Sequence, residues 1–335
     1  MMQSSDNDLD TELKSAHYQA ALETFVSLAK DQGIQPEQIG YFGKTNHPGI
    51  SDLDVLVIAE DLQLTKLSDA FEKKRNNDQR FKYIFFHSPV YVPAQLLEKT
   101  SLMHTFDNLT PVAPGCPQLS HLANQRDTQS RERDLSWLTF ILSIGAQTLY
   151  QSSPQSHSLR FNLLLMRNIG HSLNRLSNRT DANATNLRIS EFRKQAIRNT
   201  LPLKTAVFET KKLYLELLQK TQSVFEAGND KQKSLLLKRR WLISSGDSSI
   251  FIGKPFNYLT LPSSLLTFAE SYLHPHLRSP NETAHFKAYE EIERTMNRLK
   301  LPNSFPSPFQ LKRIPIFDRT VRRVVDTVLT RLSKT

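Results

Sequence analysis

The spacing of apolar and polar positions in the first hundred residues predicts helices and strands in alternation. Between residues 8 and 32, apolar side chains recur every three to four positions, as on one face of a helix, and Gly33 ends the run. Short runs rich in Val, Ile, Leu and aromatic residues favour strands, and TNHPGIS between the first two contains turn-forming Pro and Gly. The predicted order is a helix at 8–32, strands at 39–44 and 53–59, a helix at 63–76, a third strand at 81–87 with a short extension or edge at 90–92, and a helix at 93–103.

After a segment containing Pro and Gly at 110–118, helical spacing dominates the rest of the chain. The segment 249–262 interrupts this pattern and predicts a short strand or a loop. The other segments predict helices at 119–150, 158–177, 188–200, 203–227, 229–244, 263–273, 282–299 and 317–333. We therefore expect an α+β fold: a small mixed sheet with helices in a domain of residues 1–115, and a mostly α-helical, basic domain of residues 116–335.

Composition places the chain among ordinary globular proteins. It has 335 residues, of which 39% are hydrophobic and 23% charged. No apolar run approaches the roughly 20 residues of a membrane span, and the polar, acidic start is unlike a signal peptide, so we expect a cytoplasmic protein. Cys116 is the single cysteine, which excludes an internal disulfide and a multi-cysteine zinc site.

Charge is distributed unevenly along the chain. The formal net charge is +10. Residues 1–115 carry 10 Lys and Arg against 16 Asp and Glu, whereas the remainder carries 33 against 17. The basic part suggests a polyanionic partner, such as nucleic acid, and a solvated basic helical surface remains an equal alternative.

The most informative stretch is YFGKTNHPGISDLDVLVIAED at residues 41–61. Side chains two apart on a strand point to the same face, so Asp52 and Asp54 are expected side by side while Leu53 and Val55 enter the core. Two adjacent carboxylates repel each other unless water or a cation separates them. Magnesium prefers oxygen ligands and is commonly held by one or two carboxylates together with substrate phosphates.

This stretch resembles the signature of the nucleotidyltransferase superfamily that includes DNA polymerase beta, poly(A) and CCA-adding enzymes, and aminoglycoside nucleotidyltransferases. The matching residues are Phe42-Gly43 at a strand end and Ser51-Asp52-Leu53-Asp54-Val55 on the next strand. The resemblance covers residues 20–105. It implies that Asp52 and Asp54 are catalytic metal ligands for Mg²⁺ or Mn²⁺, and that Gly43, Lys44, Thr45 and Ser51 bind the nucleotide triphosphate.

The family's third carboxylate has no obvious counterpart, because FKYIFFHSP at 81–89 contains no acid. His87 or Ser88 occupies the expected position, and His87 is a further candidate metal ligand, although nitrogen suits magnesium poorly. Glu60 and Asp61 lie about 20 Å further along the strand, so they cannot supply the third carboxylate. Asp107 is a fallback only if its loop returns to the site.

The resemblance implies transfer of a nucleoside monophosphate from a nucleoside triphosphate to a hydroxyl-bearing acceptor of unidentified class. The alternative is a catalytically inactive member of the same fold that binds nucleotide or nucleic acid. An acid within reach of the Asp52–Asp54 pair would favour the enzyme, and a site closed by His87 and aromatic side chains would favour the binding protein.

Overall fold

The computed structural model describes residues 8–42, 47–103, 109–117, 119, 141, 145, 158–176, 179–227, 241–245, 248–252, 258–262 and 280–302. The chain forms two compact units. The first comprises residues 1–137, 192–201 and 280–306, and the second comprises residues 138–191, 202–279 and 307–335. The first unit thus takes in segments from beyond residue 116. The boundary expected near residue 115 stays a prediction, since most of residues 118–157 lie outside the described part.

The first unit contains a four-stranded mixed sheet with helices. In chain order its elements are α1 Ser15–Asp31, β1 Ile39–Phe42, β2 Asp54–Ala59, α2 Asp61–Asn77, α3 Gln79–Ile84, β3 Val90–Pro93, α4 Leu97–Met103 and β4 Thr110–Pro111. The strand order is β3-β2-β1-β4, with β3 parallel to β2 and the other pairs antiparallel. This arrangement confirms the predicted α+β fold with a small mixed sheet.

Strand β2 lies at the centre of the hydrophobic core. All five residues after Asp54, Val55 to Ala59, are buried, as expected for a strand covered on both faces. Phe25 of α1 and Phe71 of α2 pack edge to face in the same core, with ring centroids 5.9 Å apart. The core therefore fixes the strand whose first residue is Asp54.

The strand predicted at 81–87 is wrong, because residues 79–84 form helix α3, whereas the short extension or edge predicted at 90–92 is confirmed as β3, Val90–Pro93, at one edge of the sheet. The Asp78 side chain accepts the N–H of Phe81 at 2.9 Å and so caps the helix. Phe81 and Phe85 lie one helical turn apart, with ring centroids at 4.5 Å, and both pack on Phe71. The prediction followed the β-prone composition of this run and missed its helical spacing.

The part of the second unit that the structure describes consists mainly of helices. These are α5 Leu159–Leu176, α6 Arg179–Ile197, whose last residues from Phe192 belong to the first unit, and α7 Leu203–Ala227. They confirm the helices predicted at 158–177 and 203–227. The helix predicted at 188–200 is confirmed at 188–197, but α6 begins nine residues earlier, at Arg179. The later helix α8, Pro280–Leu299, confirms the prediction at 282–299 and buries Ile292 and Met296 in the core of the first unit.

A three-stranded antiparallel sheet accompanies these helices: β5 Trp241–Ser245, β6 Ser248–Ile252 and β7 Tyr258–Pro262. The helix predicted at 229–244 is therefore wrong at residues 241–244, and residues 229–240 lie outside the described part. Ser245 pairs with Ser248, so the residues between them, Gly246-Asp247, are a hairpin signal that the helical interpretation overlooked.

Other predicted helices fall wholly or mostly on residues that the structure does not describe. These are the helices at 119–150, apart from positions 119, 141 and 145, and those at 263–273 and 317–333. Within the described part of the chain, no helix combines the length and apolar character needed to cross a membrane.

Candidate metal centre

Asp52, Asp54 and His87 converge at the beginning of β2. His87 Nε2 lies 3.0 Å from Asp54 Oδ1 and 3.4 Å from Asp52 Oδ2. One ligand atom from each residue lies within 4.8 Å of the others. Leu53 and Val55 are buried on either side of Asp54, while the two Asp side chains remain 12% and 21% exposed. The two carboxylates therefore share a face, as their spacing predicted.

The site adjoins the end of β1. Asp54 is the strand partner of Phe42, the residue directly before Gly43. The backbone N–H of Leu53 donates to the carbonyl of Ile84 at 3.0 Å, which ties the beginning of β2 to the end of α3. His87 follows three residues after Ile84, so this hydrogen bond helps bring the imidazole to the Asp pair.

Tyrosine hydroxyls hold the loop that leads into Asp52. Tyr18 Oη donates to the Ser51 carbonyl at 2.8 Å and accepts the Gly49 N–H at 3.2 Å. Tyr83 Oη donates to the Gly49 carbonyl at 2.5 Å and accepts the Asp10 N–H at 2.9 Å. Both polar groups of the Gly49 backbone are thus bonded to side chains of helices α1 and α3.

Gly49 is required in this loop for two reasons. Its φ angle is +85°, in the left-handed region that glycine enters without steric cost. A Cβ atom at this position would also overlap the carbonyl oxygen of Asp10. The loop therefore depends on a residue without a side chain.

Ser51 lies inside the protein. Its side chain is fully buried, and its Oγ accepts a hydrogen bond from Arg193 Nη2 at 3.0 Å. Arg193 is itself 3% exposed and comes from the last part of α6, within the first unit. The role of Ser51 in triphosphate binding stays a prediction, and the observed geometry gives it a second role, holding the backbone directly before Asp52.

The imidazole side of the site is more open. His87 has 53% of its side chain exposed, whereas Phe85, two residues earlier, is fully buried and anchors the segment. Ser88 Oγ donates to Glu72 at 3.0 Å and so turns away from the Asp pair. Of the two residues expected at the position of the third acid, His87 is the one that reaches the carboxylates.

The electrostatics of His87 follow from these contacts. Desolvation lowers the pKa of His87, but the hydrogen bonds and negative charges of Asp52 and Asp54 outweigh it and raise the pKa well above 6.5. In the absence of a bound cation the imidazole is therefore protonated at neutral pH, and it partly neutralises the pair.

Several predicted site residues fall outside the described part: Gly43, Lys44, Thr45 and Asp107. Their roles stay predictions. Asp61, beyond the far end of β2, accepts from Gln95 at 2.8 Å and from Arg298 at 3.0 Å. It is occupied by these partners, in keeping with its exclusion as a third ligand.

Sequence reasoning missed the residues that hold the site together. By its spacing Tyr18 belongs to an apolar helical face, and Tyr83 falls in the run 81–87 whose composition predicts a strand. Arg193 lies 142 residues from its partner Ser51, and nothing in the local sequence links them. A signal did exist for the loop, since Pro48-Gly49 predicts a turn whose backbone groups need partners.

The donor set fits a divalent cation. Metal–ligand distances of about 2.0–2.1 Å in an octahedral shell place neighbouring ligand atoms about 3 Å apart. The separations of 3.0 and 3.4 Å from Nε2 to the two carboxylates match that spacing. Asp52, Asp54 and His87 would supply three of the ligands, and water or phosphate oxygens would supply the others.

In comparisons with family models, with curated proteins and with solved structures, nothing matches this chain.

Proposed function

We propose that this protein is a metal-dependent nucleotidyltransferase that moves a nucleoside monophosphate from a nucleoside triphosphate to a hydroxyl-bearing acceptor. One observation carries the proposal: Asp52 and Asp54 face the same side at the beginning of a buried strand, directly beside the end of β1. The resemblance of FG…SDLDV to the superfamily signature gives this geometry its functional interpretation.

In this proposal Asp52 and Asp54 hold the cation, with His87 as a third ligand. A bound Mg²⁺ or Mn²⁺ supplies charge neutralisation for the triphosphate and activation of the acceptor hydroxyl. Through the cation they would hold, the two carboxylates would position the triphosphate; the acceptor oxygen would then bond to the α-phosphorus as its bond to pyrophosphate breaks, with the hydroxyl proton passing to solvent. Gly43, Lys44 and Thr45 bind the triphosphate, with Lys44 contributing a positive charge and Gly43 allowing close backbone approach.

The acceptor is proposed to be a polyanion, nucleic acid being the first candidate. The support is the charge of residues 116–335, which carry 33 Lys and Arg against 17 Asp and Glu. Affinity for RNA should then fall steeply between low and moderate salt, because binding releases condensed counterions. An affinity that does not change with salt would count against this acceptor class.

A second candidate is a catalytically silent protein of the same fold that binds nucleotide or nucleic acid. The observation that favours it is the identity of the third group beside the carboxylates, which is the imidazole of His87. Phe86, next to it, has its ring centroid 6.4 Å from the His87 ring. An imidazole in place of the third acid is the outcome expected for a binding site that has lost catalysis.

The deciding experiment incubates the full chain with each α-³²P-labelled nucleoside triphosphate, Mg²⁺ or Mn²⁺, and cell extract as a source of acceptors. The proposal expects label in a macromolecular or small-molecule product, abolished by Asp52→Asn with Asp54→Asn. Asp61→Asn is the matched control, because it removes a carboxylate of the same unit that is bonded to Gln95 and Arg298. Triphosphate binding without labelled product would favour the silent candidate.

A further inference from the structure

We infer that the Asp52–Asp54–His87 cluster binds a divalent cation of the first transition series in preference to Mg²⁺, and that His87 Nε2 sets this preference. The inference rests on the metal requirement of the proposed function and specifies the class of cation. Its basis is the composition of the cluster, in which an imidazole nitrogen accompanies two carboxylates.

The chemistry of the donor atoms gives the direction of the preference. Carboxylate, carbonyl and water oxygens suit Mg²⁺, which holds its water shell tightly and needs near-ideal octahedral geometry. An imidazole nitrogen gains more from a transition-series cation, whose affinity for a mixed nitrogen and oxygen site rises from Mn²⁺ towards Cu²⁺. Exchanging a third carboxylate for His87 therefore costs Mg²⁺ more than it costs Mn²⁺ or Zn²⁺.

The surroundings of His87 support a ligand role. Its Nδ1 lies 3.4 Å from the carbonyl oxygen of Ser88, whereas Nε2 faces both carboxylates. A carbonyl only accepts hydrogen bonds, so when a cation displaces the proton from Nε2, the remaining proton is favoured on Nδ1 and the lone pair of Nε2 faces the carboxylates. Metal-binding histidines are generally oriented in this way, with the second ring nitrogen turned to a carbonyl or carboxylate.

The two kinds of ligand also differ in freedom of movement. Asp52 follows a loop held by Tyr18 and Tyr83, and Asp54 is part of the central strand. His87 is half exposed, so its imidazole can adjust to the length of the metal–nitrogen bond. A site with fixed oxygen ligands and one adjustable nitrogen ligand suits cations of slightly different radius, provided that those cations coordinate nitrogen.

The test is a Mn²⁺ titration of the full chain followed by electron paramagnetic resonance, with Mg²⁺ as competitor and no nucleotide present. Two variants test the role of the imidazole nitrogen. His87→Gln removes the imidazole, and His87→Asp replaces it with a third carboxylate. Loss of an outer partner of a metal ligand already costs about 10–100-fold in affinity, so His87→Gln should weaken Mn²⁺ binding at least about tenfold. His87→Asp should make Mg²⁺ compete markedly better against Mn²⁺ than in the unmodified protein.

Asp61→Asn serves as the control and should leave both affinities unchanged, and circular dichroism melting confirms folding of each variant. An unchanged Mn²⁺ affinity in His87→Gln, or the same Mn²⁺-to-Mg²⁺ ratio in His87→Asp as in the unmodified protein, would overturn the inference, as would absence of Mn²⁺ binding. Mn²⁺ preference without incorporation of any labelled triphosphate leaves this inference standing and rejects the proposed function. If Mg²⁺ supports incorporation equally well in the unmodified protein and in His87→Asp, the proposed function stands and this inference is rejected.

Discussion

The carboxylate side and the imidazole side of the candidate metal centre are held by different means. Asp52 and Asp54 are anchored through a buried strand and a loop whose backbone is bonded to Tyr18 and Tyr83. His87 has half of its side chain exposed and depends on the end of helix α3 for its position. This difference indicates that the protein fixes the two acids in advance and leaves the third ligand adjustable. Variants on the carboxylate side and on the imidazole side can test this interpretation separately.

The largest effect is expected from removing both carboxylates. Asp52→Asn with Asp54→Asn preserves shape but removes the charges that attract the cation, so metal-dependent incorporation should fall to background. In the unmodified protein, the cation and the triphosphate should stabilise the fold together, by about 2.7 kcal/mol at 100 times the dissociation constant, and each should do little alone. Differential scanning fluorimetry measures this gain, which the double variant should lose. A double variant that keeps the full gain would show that the cation binds elsewhere.

Next in size is Gly49→Ala, which acts on the loop before Asp52. Alanine at a φ of +85° and in steric overlap with Asp10 should lower the free energy of unfolding by about 2 kcal/mol or more. Urea denaturation measures the change. Gly33→Ala is the comparison, since Gly33 also has a positive φ, +76°, but its Cβ would meet only the flexible end of Gln63. Equal losses in the two variants would mean that the contact with Asp10 adds nothing.

Tyr83→Phe should have a smaller effect, because it removes one hydroxyl and keeps the ring. The loss of its bonds to Gly49 and Asp10 should lower the free energy of unfolding by about 1–2 kcal/mol. If the hydroxyl positions the loop, Mn²⁺ affinity should fall as well. The control is Tyr91→Phe, since Tyr91 is buried in the same core but its hydroxyl interacts with Ser68 of α2 and not with the loop before Asp52, so its removal should leave Mn²⁺ affinity unchanged. Similar metal affinities in both variants would contradict a positioning role for Tyr83.

The smallest effect is predicted at Asp78, which caps the helix leading to His87. Its hydrogen bond from the Phe81 N–H, and then the nearby Lys74, lower the pKa of the Asp78 carboxyl below 3.8. Asp78→Ala should cost about 1 kcal/mol at neutral pH, and Asp78→Ser should restore most of it. Because the folded state holds the ionised form, the stabilisation is complete above the usual pKa and disappears as the pH falls through the lowered value. Urea denaturation of the unmodified protein and of Asp78→Ala, at pH 7 and at pH values below 3.8, measures the difference in their free energies of unfolding. A difference that stays constant with pH would exclude the ionised Asp78 carboxylate as its cause.

The carboxylate side was largely predictable from the sequence, and the imidazole side was not. The placement of Asp52 and Asp54 follows from alternation along a short strand, which is a local property. The position of His87 depends on helix α3, whose aromatic residues resemble a strand in composition and a helix in spacing. The contact of Ser51 with Arg193 depends on tertiary packing between distant parts of the chain, so no local pattern contains it.

The same contrast applies to the second sheet. Trp241 and Ile243 continued an apparent helical pattern, yet they belong to strand β5, which pairs with β6. A short apolar run fits both the helical period of 3.6 residues and the strand period of two. Here the Gly-Asp pair in the sequence was the stronger signal, because it indicates a hairpin. Helices α5 and α7 are long enough for their period to be unambiguous, and their predicted ends lie within one residue of the observed ones.

The discontinuity of the first unit has a consequence for its synthesis. Ile292, Met296 and Leu301 complete a hydrophobic core whose other buried residues lie between residues 13 and 119. A ribosome adding about 5–20 residues per second needs about ten to thirty seconds to proceed from residue 137 to residue 306. During that interval the nascent core lacks these residues, and apolar surface that they later bury is exposed to water and to other chains. We therefore expect the newly made chain to need chaperone protection until the last segment of the first unit has been synthesised.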